Sequence, residues 1–174
     1  HRMGEAGLFA NERVELLDGT IVTMSPRSSQ PSAVISRLNR LLVPALSGSL
    51  HVRIQLPVIL DDWSEPEPDL VVCRADPHDY AYGHPRPSDV VLVCEVSLSS
   101  LSYDRTAKLE AYAASGLPEY WIVDVEHRVV HVFADPDPTA RRYRRERRMA
   151  EGDVVAGPGG TTLAVTDVLP PALG

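Results

Sequence analysis

Lysine is nearly absent from this chain of 174 residues: of its 17 lysines and arginines, only Lys108 is a lysine. The guanidinium of arginine is planar and stays protonated. Lysine instead carries a compact ammonium, whose pKa can shift and which can hold a water molecule. An isolated lysine in an arginine-rich chain is therefore a candidate for chemistry that arginine cannot perform. The other open interpretation is that one lysine remained by chance on a solvated helix face.

Cysteine is also scarce, and two residues, Cys73 and Cys94, cannot form a disulfide framework. Cys73 lies four residues after Asp69 and Cys94 directly precedes Glu95, so we expect the thiols on opposite faces of neighbouring strands. A bridge between them is then geometrically unfavourable. We expect two reduced, buried thiols in a cytoplasmic protein.

Long apolar runs are missing as well. No run approaches the roughly 18 residues of a membrane span, and no basic start precedes an apolar segment. Hydrophobic residues make up 44% and charged residues 24% of the chain, which is typical of a soluble globular protein. We therefore expect one domain over residues 1–174, with no membrane partner.

The chain is acidic, with a net charge of −7 and a pI near 5.3, which argues mildly against broad nucleic-acid binding. The run from Arg141 to Arg148 is a local exception. It is either a phosphate-contacting patch or a charged edge strand that discourages aggregation. The second interpretation is favoured, because the alternation is poor and the whole chain is acidic.

Hydrophobic periodicity and turn residues predict a mixed α/β (α+β) fold with an N-terminal β-hairpin around Asp18-Gly19. A helix capped by Ser28 or Ser29 should run to about Leu46, ending or kinking near Val43 because of Pro44. The remaining predicted elements are strands at 51–60, 70–73, 90–94, 119–125, 127–133 and 163–165, an Arg-rich strand, and a helix at 104–115 that stops at Gly116.

Two carboxylates occur at the ends of apolar strands. Asp69 opens one strand and Glu95 closes another, and the two are symmetric about residue 82 in the intervening loop. Opposed residues on one face approach to about 5 Å, so the carboxylates would repel unless a proton or a cation intervenes. Mg²⁺ prefers such hard oxygen ligands, to which the Val96 carbonyl could add. Exposure of both side chains to water at the strand ends is the alternative.

The following helix carries Asp104, Lys108 and Tyr112 at i, i+4 and i+8, so they share one face. If that face covers the carboxylates, Lys108 can orient an attacking water or neutralise charge that develops on a phosphate. The alternative is an Asp104–Lys108 surface pair.

These residues carry a resemblance to a known family. The shared motifs are Glu15-Leu16-Leu17-Asp18-Gly19, Pro68-Asp69, Glu95-Val96-Ser97, Tyr103-Asp104-Arg105 with Lys108, and the run GLPEYWIVD at 116–124. Together they resemble the bacterial family described as putative restriction endonucleases, within the PD-(D/E)XK nuclease superfamily. The resemblance covers nearly the whole chain; the GLPEYWIVD run and the spacing of Asp104 and Lys108 are its specific parts.

The resemblance implies a restriction endonuclease-like core, a central mixed sheet flanked by helices, and Mg²⁺-dependent (or Mn²⁺-dependent) hydrolysis of DNA. It implies that Asp69 and Glu95 are metal ligands and that Lys108 assists catalysis. The superfamily lysine normally lies two residues after the glutamate, where this chain has Ser97. Glu15 is either an auxiliary acid near the metal or a polar hairpin residue.

One departure concerns a histidine that family members often carry at the start of the first long helix, where this chain has Pro31 beside Gln30. Three hypotheses therefore stand: a metal-dependent endonuclease, a catalytically weakened module that binds nucleic acid or protein, and a dimeric scaffold with a vestigial ion site. Cleavage of a duplex usually needs two active centres, so symmetry favours a homodimer.

Overall fold

A six-stranded mixed sheet forms the centre of the protein, whose computed structural model describes residues 2–10, 12–26, 28–46 and 48–171. The strands are β1 Val14–Leu17, β2 Thr20–Thr23, β3 Leu50–Ile54, β4 Leu70–Arg74, β5 Val90–Ser97, β6 Glu119–Asp124, β7 Val129–Asp137, β8 Arg142–Ala150, β9 Val154–Ala156 and β10 Thr162–Ala164. The helices are α1 Arg2–Glu5, α2 Ser29–Ala45, α3 Leu101–Tyr103, α4 Leu109–Ala114 and α5 Val165–Val168, with a π-helical segment Asp104–Lys108 and a 3₁₀ turn Pro158–Gly160. Among the described residues, no helix is long and apolar enough to cross a bilayer.

The strand order of the central sheet is β3-β4-β5-β6-β7-β8, and only the β5–β6 pair is parallel. A parallel pair needs a crossover connection, and the segment 101–114 supplies it. The inner strands β4, β5 and β6 are buried on both faces, which explains their continuous apolar runs. The predicted mixed α/β architecture, with a central sheet, flanking helices and an N-terminal hairpin, is confirmed.

Two hydrophobic clusters lie on opposite faces of this sheet. The α2 face packs residues such as Leu38, Leu70 and Trp121, and the α4 face packs others such as Tyr112 and Tyr120. The two thiols divide in the same way: Cys94 belongs to the α2 face and Cys73 to the α4 face, and both are buried and free. The expected reduced, buried state of the cysteines is therefore what the structure has.

The N-terminal hairpin forms as its turn residues predict. Asp18 and Gly19 both have positive φ, 47° and 75°, and Leu17 pairs with Thr20 across them. The backbone N–H of Gly19 donates to the Trp63 carbonyl at 2.8 Å, and Leu16 exchanges two backbone hydrogen bonds with Glu65. These contacts fix the hairpin against the loop that leads into β4.

Helix α2 begins and ends close to its predicted limits. The helix includes Pro44 and continues to Ala45, so it runs to about Leu46 as expected and does not end near Val43. Pro44 lies in the last turn, where only one intrahelical hydrogen bond is lost. Ser28 is the N-cap residue, yet its side chain makes no capping hydrogen bond. At the other end Ala45 is exposed, and the buried face of the helix ends with Leu42 and Leu46.

Two further predictions need correction. The strand expected at 51–60 ends at Ile54, because Gln55 adopts a positive φ of 51° and leaves the sheet. The helix expected at 104–115 begins earlier, at Leu101, and Asp104–Lys108 is wound as a π-helix. Its predicted stop at Gly116 is correct: Gly116 has a φ of +72°, and the Leu117 N–H donates to the Tyr112 carbonyl at 3.1 Å.

The Arg-rich run forms β8, which is one of the two outer strands of the central sheet. The favoured interpretation of a charged, exposed edge strand is therefore correct as to its position in the fold. Arg142, Arg144 and Arg145 are exposed, as are Arg147 and Arg148.

Leu38 and Val43 of α2 provide a matched test of the core. Leu38 is fully buried, whereas Val43 is 49% exposed. Leu38→Ala should lower the free energy of unfolding by about 2–5 kcal/mol, because it leaves a cavity in close-packed surroundings. Val43→Ala should change the free energy by less than about 1 kcal/mol. Urea denaturation followed by circular dichroism measures both, and equal losses would contradict the assigned packing of α2.

Candidate active site

Asp69, just before β4, and Glu95, in the second half of β5, face one another. The register pairs Leu70 with Cys94, which continues to Asp69 and Glu95 as the next opposed pair. The Asp69 N–H donates to Glu95 Oε2 at 3.4 Å, and the Val96 N–H donates to Asp69 Oδ2 at 2.8 Å. The two side chains are 1% and 2% exposed, so they are not strand-end groups facing water.

Lys108 lies directly beside this pair. Its Nζ is 2.9 Å from Glu95 Oε1 and 3.2 Å from Glu15 Oε2, and the residue is 5% exposed. Burial favours the neutral amine, but the Glu95 and Glu15 carboxylates outweigh it and raise the pKa of Lys108. The group is therefore an ammonium at neutral pH. The alternative of a solvated surface lysine is wrong.

Glu15 reaches the same point from the hairpin. It is 4% exposed, and besides Lys108 it accepts hydrogen bonds from the Glu67 N–H at 3.2 Å and the Tyr103 hydroxyl at 3.4 Å. Pairing with Val22 on β2 fixes its strand position. Glu15 is thus a buried partner of Lys108, which excludes its interpretation as a merely polar hairpin residue.

Asp104 is close to the site but turned toward β5. Its Oδ2 accepts hydrogen bonds from the hydroxyls of Ser97 and Ser100, both at 2.6 Å. Burial, followed by the charge of Glu95, raises the pKa of Asp104 to about 6. Ser97, where the resemblance led us to expect a lysine, therefore donates to Asp104, and the alternative of a surface pair between Asp104 and Lys108 does not hold, because both residues are buried.

Tyr112 is a site residue that the sequence reasoning noticed only by its spacing. Its hydroxyl donates to Glu95 Oε1 at 2.8 Å, the same oxygen that accepts from Lys108. Two donors on Oε1 leave Oε2 as the oxygen on the Asp69 side. The i, i+4 spacing of Lys108 and Tyr112 was the available signal, but nothing in the sequence indicated a shared acceptor.

A cavity of about 470 Å³ opens onto these groups. The charged residues described above all line this cavity: Glu15, Asp69, Glu95, Asp104 and Lys108. Four serines line it as well: Ser25, Ser28, Ser99 and Ser100. Pro31, where the resemblance led us to expect a histidine, is buried and also lines this cavity. The departure therefore lies at the site itself.

The donor set suits a hard divalent cation. Among the described residues, no group of three or more His, Cys, Asp or Glu side chains is arranged to hold a metal. Mg²⁺ does not need such a cage, because it commonly takes one or two carboxylates and keeps several waters. Asp69 and Glu95 supply two opposed carboxylates, with Glu95 Oε1 occupied by donors and Oε2 turned toward Asp69. These residues fit Mg²⁺ or Mn²⁺.

The two nearby histidines bind elsewhere. His127 Nδ1 lies 2.9 Å from Asp124 Oδ2, and His131 Nδ1 lies 2.9 Å from Arg105. Neither joins the carboxylate pair.

The family comparison agrees with this geometry. The Uma2 family, described as putative restriction endonuclease, matches residues 5–169. The chain belongs to the Uma2 family. The resemblance inferred from the motifs is thus confirmed over nearly the whole chain.

The fold of this Uma2 chain is also found in a solved structure. The crystal structure of a putative nuclease belonging to DUF820 from Anabaena variabilis shares 13% sequence identity, with a TM-score of 0.64. The match covers 90% of this chain and 89% of the other. At this identity the likeness establishes the fold, which confirms the restriction endonuclease-like architecture. No curated protein matches the chain in sequence.

Lys108→Met should destabilise the Uma2 chain strongly. Removal of the ammonium leaves Glu15 and Glu95 buried without their cation, and breaking a buried ion pair costs about 3–5 kcal/mol. Arg40→Met, which removes an exposed cation from α2, is the control and should change little. Adding Glu15→Gln to Lys108→Met should restore part of the loss. Urea denaturation at pH 7 measures all three variants, and equal effects of Lys108→Met and Arg40→Met would contradict the buried ion pair.

Asp104 should give stability a pH dependence of known sign. Its pKa is about 6 in the fold against an ordinary 3.8, so between these values the folded chain holds a proton that the unfolded chain has lost. The free energy of unfolding contributed by Asp104 therefore falls as pH rises from 4 to 7. Relative to Asp104→Asn, the native protein should lose roughly 1–3 kcal/mol over that range. A constant difference between the two unfolding curves would contradict the raised pKa.

Proposed function

We propose that this chain is an endonuclease that hydrolyses phosphodiester bonds of DNA with a bound divalent cation, Mg²⁺ or Mn²⁺. One observation supports the proposal above all: the carboxylates of Asp69 and Glu95 and the ammonium of Lys108 lie in contact, with little exposure to water, in the wall of a single cavity. Perturbed titratable groups that converge in a cleft are typical of active sites. Membership of the Uma2 family supports the nuclease class.

Asp69 and Glu95 are the residues that would hold the cation, Glu95 through Oε2. A bound divalent cation supplies charge neutralisation at a phosphate and lowers the pKa of a coordinated water. The chain contributes the orientation of both carboxylates. The Val96 N–H fixes Asp69 Oδ2, and the donors on Glu95 Oε1 fix the rotation of the second carboxylate.

Lys108 has a role that follows from its protonation. Because its carboxylate neighbours keep it an ammonium, it cannot act as a general base. Its three N–H bonds include contacts to Glu95 and Glu15, and the group can donate to a water or to a phosphate oxygen in the cavity. It would thus stabilise negative charge that develops on the phosphate.

Pro31 favours a second candidate, a catalytically weakened module that binds nucleic acid or protein in the same cavity. A proline lines the wall where family members often supply an ionisable imidazole, so one proton-transfer group is lacking there. The homodimer remains a proposal from symmetry, since two centres would cut both strands of a duplex.

Cleavage of plasmid DNA tests the proposal. With Mg²⁺ or Mn²⁺ at low salt, the native chain should nick or linearise the plasmid, and chelation should stop it. Asp69→Asn should reduce the rate at least about 100-fold, because a ligand charge is lost. Asp62→Asn, at an exposed residue of the preceding loop, is the matched control and should leave the rate unchanged.

The two candidates differ in this assay. A weakened module would bind DNA or a protein partner without cation-dependent cleavage, and Asp69→Asn would not alter that binding. Absence of cleavage with every divalent ion tried would reject the endonuclease. Equal cleavage by Asp69→Asn and Asp62→Asn would reject the assigned site.

A further inference from the structure

The exposed arginines of β8 differ in their ionic partners. Arg141, just before the strand, binds Asp18 at 2.5 Å, and Arg144 binds Asp137 at 3.1 Å. By contrast, Arg147 and Arg148 form no ion pair with any carboxylate in the described part of the chain. Exposed, unpaired guanidinium groups in a chain of net charge −7 are available to bind an anion.

The strand register aligns one of these arginines with the carboxylate pair. Glu95 pairs with Ile122 on β6, Ile122 with His131 on β7, and His131 with Arg148 on β8. Residues in one such row point to the same face, so Arg148 and Glu95 share the α4 face. Three inter-strand steps of about 4.8 Å separate them by roughly 14 Å.

No carboxylate of β8 is free to neutralise the charge of Arg148 on this face of the sheet. Glu146, the acidic residue of β8 on the same face, is occupied by Arg105 at 2.8 Å. The Arg105 guanidinium also contacts His131 Nδ1 at 2.9 Å and lies over the Phe133 ring at 5.5 Å. Burial, and next the charge of Arg105, lower the pKa of His131, which therefore stays neutral at pH 7.

We infer that Arg148 contacts a backbone phosphate of the nucleic acid whose phosphodiester bond lies at Asp69 and Glu95. This inference rests on the proposed function. A separation of about 14 Å corresponds to about four nucleotides along one strand at 3.4 Å each. Segment 101–108 lies between Glu95, which Lys108 contacts, and Glu146 of β8, which Arg105 contacts. The nucleic acid would therefore pass over the first turn of this segment. Arginine suits this contact, because its planar fork binds phosphate oxygens in pairs.

Arg147 separates this contact from a general protective role of the edge strand. It is also exposed, but it pairs with Val132 of the α2 face, so it points away from the carboxylates. Charges that discourage edge-to-edge aggregation act on either face of the strand. A phosphate contact with substrate at the site requires the α4 face alone.

The test is the affinity of a short fluorescein-labelled DNA duplex, measured by anisotropy in Ca²⁺ at several salt concentrations. Arg148→Gln should weaken binding severalfold and reduce the slope of log K against log salt by about one, as expected for one lost phosphate contact. Arg147→Gln should leave both quantities near the native values. Light scattering should show the same particle size for both variants.

Failure of this inference can be told from failure of the proposed function. Equal effects of Arg148→Gln and Arg147→Gln, in a chain that cleaves DNA, would overturn the role of Arg148 and leave the nuclease intact. Aggregation of both variants would show that these arginines protect the edge strand from self-association, and it would also overturn the phosphate contact inferred for Arg148. A native chain that neither binds nor cleaves DNA would reject the proposed function, and this inference with it.

Discussion

The Lys108 ammonium is the interaction on which the arrangement of the site depends. Glu15 comes from the hairpin, Glu95 from the central sheet and Lys108 from the crossover segment, and the three charged groups meet with almost no exposure to water. The two carboxylates would repel each other without a cation between them. A compact ammonium with three donors can serve both acceptors, whereas the planar fork of arginine is larger and less adaptable.

The crossover that connects β5 and β6 also carries site residues, and its π-helical segment Asp104–Lys108 helps to place them. π-Helical turns are rare and often occur at functional sites. Here the π-helical turn directly precedes α4, which carries Tyr112, and both Lys108 and Tyr112 donate to one oxygen of Glu95. The Tyr120 hydroxyl donates to the Asp104 carbonyl at 3.0 Å, which satisfies a backbone acceptor in this irregular turn. Strand β6 of the sheet therefore stabilises the π-helical turn through Tyr120.

Features that depend on local periodicity could be predicted from the sequence, and features that depend on docking could not. The opposition of Asp69 and Glu95 follows from the alternation of side chains along two strands, and the Asp18-Gly19 turn follows from residues that accept positive φ. The burial of Glu15 requires the hairpin to lie against the crossover, which no local pattern encodes. Helix α2 likewise continues through Pro44, because packing of Leu42 and Leu46 outweighs one lost hydrogen bond.

The charge balance of the cavity supports the proposal of a bound cation. Glu15, Asp69, Glu95 and Asp104 all line it, against the single ammonium of Lys108. Three responses can relieve this excess of negative charge: protonation, hydrogen bonding, or a bound cation. Asp104 accepts hydrogen bonds from two serines, and its pKa is raised to about 6, so that it takes up a proton in mildly acidic solution. Asp69 and Glu95, held in opposition by the β4–β5 register, also accept hydrogen bonds, and they are the pair between which we propose a divalent cation.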